Sequence, residues 1–121
     1  MTNNQFDKHI AKKLDLDNKS ILLFANDVSN LNSQMKVSPH QNICCVDYKG
    51  EILWWVEGIS DFIIKRNPGL NIETVQEGWK GSSHNNIWFE DGNLKSFVSD
   101  GYVFTIDVKS GYIINMESEK N

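Results

Sequence analysis

The sequence predicts a mainly β protein, an antiparallel β-sandwich or strongly twisted sheet built of consecutive hairpins, with a short N-terminal helix. Three observations predict it. Strand-like runs flank Lys49-Gly50, Asp91-Gly92 and Asp100-Gly101, and a last pair turns through Lys109-Ser110-Gly111. Asp-Gly favours a tight hairpin, because the primed turn needs positive φ at both central residues. There is also an internal echo: Asn42–Leu53 and Tyr102–Ile114 both read as apolar strand, Asp, turn, Gly, apolar strand. Finally, 121 residues give room for one core, so the whole chain, 1–121, is expected to be a single domain. Propeller blades use the same hairpin, but each takes about 40 residues and closure needs several. An open sandwich or twisted sheet is what remains.

The elements follow in order. Phe6, Ile10 and Leu14 recur every four residues with lysines between them, which predicts the short amphipathic helix. Ile21–Ala25 is a compact apolar run and reads as a buried strand. Residues 26–41 are mostly polar and hold Pro39, so a loop with room for one edge strand is expected. Strands are expected at Asn42–Tyr48, Glu51–Glu57, Asn86–Glu90, Asn93–Val98, Tyr102–Val108 and Tyr112–Glu117. Between Gly58 and Asn85 the pattern is weakest. Ser60 can cap a helix ended by Asn67-Pro68-Gly69, but Phe62-Ile63-Ile64 favours a strand or single turn. Leu70–Gln76 is read as a marginal strand, and Gly78–Asn85 as a turn-rich loop carrying Trp79.

Composition bounds the function. No run approaches the ~20 apolar residues that span a bilayer, and the first residues lack the apolar core of a signal peptide. No membrane association is therefore expected. The cysteines are the neighbours Cys44 and Cys45, which a strand points to opposite faces, so two reduced thiols and a cytoplasmic location are expected. Net charge is −4, concentrated between Leu70 and Val108, where two lysines face six carboxylates. Such a surface repels nucleic acid and attracts basic proteins.

Catalytic patterns are missing. His9, His40 and His84 have no metal-ligand spacing, and no glycine-rich phosphate loop occurs, so neither metal nor cofactor is expected. Nor do Cys44 and Cys45 have a neighbour that would activate a thiol. Asp47 and Asp107 precede equivalent turns, where a carboxylate bonds turn amides. The expected protein is thus not an enzyme. Trp54 and Trp55 should point to opposite faces, and Trp88 should lie in the core. Trp79 is either folded onto the sheet or an exposed anchor, as tryptophan often is at interfaces.

The segments NICCVDYKGEILWWVEG (Asn42–Gly58) and NIWFEDGNLKSFVSDGYVFTIDVKSGYIINME (Asn86–Glu117) resemble small β-rich immunity proteins of bacterial contact-dependent growth inhibition and related polymorphic toxin systems. The likeness covers 49 of 121 residues. It implies a cytoplasmic protein that neutralises a cognate toxin domain, commonly a nuclease, by occluding its active site or substrate surface. It supplies no binding residues. Charge and aromatic placement nominate Glu73, Glu77, Trp79, Glu90, Asp91 and Asp100 for binding a basic ribonuclease. The competing expectation is a small ligand-binding or adaptor module that stacks a sugar or small molecule on Trp55 or Trp79.

Overall fold

The structure is a computed structural model that describes residues 10–25, 41–79, 82–99 and 101–119. Among these residues eight strands form two four-stranded antiparallel sheets, each a meander with neighbours joined in chain order. The N-terminal sheet holds β1 (Ile10–Asp15), β2 (Lys19–Phe24), β3 (Ile43–Asp47) and β4 (Ile52–Trp55). The C-terminal sheet holds β5 (His84–Glu90), β6 (Asn93–Val98), β7 (Tyr102–Ile106) and β8 (Ile113–Ser118). Between the sheets in sequence lie helices α1 (Ile59–Arg66) and α2 (Ile72–Trp79), packed on each other.

Side-chain alternation decides where the core sits. Ile21, Leu23, Ile43 and Cys45 from one sheet join Ile87, Leu94, Phe104 and Ile106 from the other in a single buried cluster. The two sheets therefore stack face to face, as a sandwich requires. Ile59 and Phe62 of α1 enter the same cluster, with Phe62 edge-on to Phe104 at 6.4 Å between centroids. Leu22, Phe24 and Cys44 form a second cluster on the other face of the N-terminal sheet. Cys44 and Cys45 are accordingly free thiols on opposite faces, and so are the tryptophans: Trp54 packs on the shared core and Trp55 on Phe24.

The internal echo extends through both meanders. In β3–β4 one extra residue, Leu53, interrupts the register, and in β7–β8 Ile114 does so at the equivalent place. Likewise Ala11 is the extra residue of β1 and Asn85 that of β5. The turns match as well. Asp47 Oδ1 accepts the Lys49 and Glu51 N–H groups at 2.9 Å, and Asp107 Oδ1 accepts that of Lys109 at 2.9 Å.

Several expectations are corrected. Ile10 and Leu14 lie on strand β1, not on a helix, and Phe6 lies outside the described residues. A spacing of four satisfies a period of 2 as well as 3.6, and pairing of Lys12–Asp15 with β2 decides for the strand. Phe62-Ile63-Ile64 belongs to α1, which begins after Gly58, so Ser60 lies inside the helix. Leu70–Gln76 is no strand: Asn71 Oδ1 accepts the Thr74 N–H at 2.9 Å, the N-cap bond of α2. Trp79 ends that helix, and His84 opens β5, so neither sits in a loop. Residues 26–40, where a loop is expected, and His9, His40 and Asp100 lie outside the described residues.

Candidate functional site

The candidate site is the outer face of the C-terminal sheet, built by alternation of residues opposite the core. Pairing places Asn86, Phe97, Val103 and Glu117 in one row across the strands. The next row is Trp88, Lys95, Thr105 and Asn115. Trp88 is thus half-buried on the outer face, not in the core, because Ile87 and Phe89 of β5 point the other way. Its indole Nε1 donates to Glu90 Oε1 at 3.0 Å.

Asn86, Trp88, Lys95, Phe97, Val103 and Glu117 of these rows line a cleft of about 340 Å³, with Glu90 at its rim by the β5–β6 turn and Glu117 and Glu119 at its rim on the β8 side. Trp88 and Phe97 supply flat apolar surface, and the three glutamates supply negative charge. Lys95 is the cation in the lining; its Nζ donates to Thr105 Oγ1 at 2.8 Å and so leans toward β7, away from Trp88. The cleft is suited to a flat or elongated cationic group, which rings attract by their faces and carboxylates by charge.

The nominated residues are divided among different places. Glu73 and Glu77 are exposed on α2. Trp79 is half-buried, 5.5 Å from Tyr102 and 6.3 Å from Phe104 between ring centroids. It folds onto the sheet as part of the core, which removes it as an exposed anchor. Glu90 and the left-handed Asp91 (φ 54°) lie at the β5–β6 turn. Six residues of β5 separate that turn from the end where Trp79 meets Tyr102, about 20 Å along the sheet. Of the described members of the nominated set, Glu90 alone lines the cleft. Trp88, Phe97, Glu117 and Glu119 were not nominated; alternation from the Asp91-Gly92 turn was the signal that could have found Trp88 and Phe97.

Other polar groups lie buried in the core. His84 Nδ1 and Ser96 Oγ are 2.8 Å apart, but both residues are almost wholly buried between the sheets, where no substrate reaches. Burial pushes both thiols up, Cys44 far above its ordinary value, and so keeps them protonated at neutral pH. Among the described residues no cluster of His, Cys, Asp and Glu is placed to hold a metal, and no helix is long and apolar enough to cross a membrane. Comparison with known proteins adds no assignment: no family model matches the chain, and neither a curated protein nor a solved structure does.

Proposed function

We propose that this chain binds a basic protein and that the partner is a toxin domain of nuclease type, most simply a ribonuclease, neutralised by occlusion. The observation that supports the reading is the cleft in which Glu90, Glu117 and Glu119 rim Trp88 and Phe97. A nuclease displays cationic groups for phosphate, and a carboxylate-rimmed surface competes for the same groups while repelling nucleic acid itself. The resemblance of Asn42–Gly58 and Asn86–Glu117 to immunity proteins points to the same partner class. In this reading the protein works in the cytoplasm, without cofactor or catalysis. Co-expression with the domain encoded immediately upstream tests it. A captured complex that restores growth is expected; toxicity with neither rescue nor capture contradicts it.

One observation favours a second reading, a small-ligand module. Trp55 and Tyr112 line a cleft of about 270 Å³ beside Gln41, Asp61 and Ser110. Aromatic faces next to amide, carboxylate and hydroxyl groups suit a sugar. A glycan screen read by tryptophan fluorescence should then show a saturable response that Trp55→Phe weakens, and silence across the screen removes this reading.

A further inference from the structure

Superposed strand by strand on their registers and bulges, the two sheets do not meet through equivalent faces. The face that the N-terminal sheet turns to the core carries Leu14, Ile21 and Leu23; the equivalents in the C-terminal sheet are Trp88, Lys95 and Phe97, all on its outer face. In the same way Ile43 and Cys45 correspond to Val103 and Thr105. Each meander therefore has a docking face and a receiving face, and the fold stacks them head to tail. A head-to-tail contact leaves one docking face unused. Here the one left unused by the described residues is the outer face of the C-terminal sheet.

Terminal units of stacked folds are closed by polar substitution. Ile21 to Lys95, Cys45 to Thr105 and Trp54 to Asn115 follow that logic. Three positions stay apolar, and the first is Val103, which stands where the other sheet has Ile43. Where the other sheet has Leu14 and Leu23, this one has the larger aromatic residues Trp88 and Phe97, both half-buried on an open face. Solubility alone gives no reason to place a tryptophan there. Nor does the carboxylate rim admit another apolar sheet, since desolvating Glu90, Glu117 and Glu119 against it would leave charges unpaired.

We propose that the outer face of the C-terminal sheet is the vacated docking face of a duplicated sheet unit and now receives an arginine-bearing segment of the partner, with a guanidinium against Trp88 and Phe97, between Glu90 at the β5–β6 end of the face and Glu117 and Glu119 toward the other. The inference rests on the reading of a basic protein partner and names the group that the site takes. Arginine is favoured over lysine because its planar guanidinium both stacks on rings and pairs bidentately with carboxylates.

The test is a titration of isotope-labelled protein with acetyl-triarginine amide, with the trilysine and triserine peptides beside it, followed by amide and indole NMR shifts. Expected are saturable shifts at the Trp88 indole N–H and the Phe97 and Val103 amides, strongest for triarginine and absent for triserine. Trp88→Ala should weaken the binding about fivefold, the weight of one exposed cation–π contact. Should that variant unfold, Glu117→Gln with Glu119→Gln serves instead and should also weaken it. Shifts centred on α2, equal shifts with triserine, or none at all overturn the proposal. Toxin capture separates it from the functional reading: capture undiminished by either variant removes the site and keeps the toxin, whereas triarginine binding without capture keeps the site and removes the toxin.

Discussion

The carboxamide of Asn42 clamps the backbone of His84. Its Oδ1 accepts the His84 N–H at 3.0 Å and its Nδ2 donates to the His84 carbonyl at 2.9 Å. The same Nδ2 also donates to the Phe24 carbonyl at 2.9 Å. One fully buried side chain thus supplies, at the start of β3, the bonds that a neighbouring strand would give to the first residue of β5. It joins the two sheets where their strands cannot pair.

Asn42→Ala should therefore destabilise the fold by about 3 kcal/mol, since it removes three hydrogen bonds to buried backbone groups. Asn42→Asp should cost at least as much, because a carboxylate cannot donate to either carbonyl and would be buried as a charge. Urea denaturation checks both.

Gly92 and Gly111 separate two costs. Both have positive φ, +82° and +81°, but a Cβ on Gly92 meets open space, whereas one on Gly111 would come within 2.6 Å of the Trp54 ring. Gly92→Ala should cost about 1 kcal/mol of backbone strain. Gly111→Ala should cost about 2 kcal/mol more, because Trp54 is also held by its Nε1 donating to the Val108 carbonyl at 3.0 Å and cannot easily withdraw. Equal losses in thermal unfolding would contradict this packing.

The two turn aspartates should be unequal. Asp47→Ala removes the acceptor of two backbone N–H groups, and Asp107→Ala that of one. Losses of about 2 and about 1 kcal/mol are expected from chemical denaturation.

Alkaline stability should depend on Cys44. Burial, with a smaller contribution from Cys45, raises its pKa far above the ordinary 9.0, so the unfolded chain releases a proton near pH 9 that the folded chain keeps. The folded state then binds more protons, and stability present below pH 9 is lost as pH rises above it, by up to about 1.4 kcal/mol per pH unit. Cys45, raised for the same reason, adds to the slope. Lys65, raised by its hydrogen bond to Glu57, acts above its own ordinary 10.5, so measurement between pH 9 and 10 isolates the thiols. Cys44→Ala should flatten that slope, and an unchanged slope would contradict the burial.

The strand pairs of the second half were legible because Gly at each tight turn and apolar alternation on either side are local signals. So was the echo between Asn42–Leu53 and Tyr102–Ile114. Its extension was not: between Leu14–Phe24 and Trp88–Val98 only Asp17 and Asp91 are identical, and the likeness lies in register and bulges. β1 was hidden because Ile10 and Leu14 suit either period, and α2 because its cap, Asn71, follows a Pro-Gly turn that reads equally as a strand entry. The site was half legible. Acid content drew attention to Glu90, but Glu117 and Glu119 reach the same cleft only through pairing of β7 with β8, and Trp79 was claimed by the core through contacts that no local pattern carries.

The central claim is that the outer face of the C-terminal sheet meets a basic partner. Its most direct test is the association rate of the captured toxin domain with the wild type and with Glu117→Lys/Glu119→Lys, at low and high salt. Carboxylates that steer encounter predict an association about tenfold slower on charge reversal at low salt, a difference that shrinks at high salt, and a dissociation rate that moves far less. An association rate untouched by this reversal but slowed by Glu73→Lys/Glu77→Lys would place the interface on α2 and contradict the account.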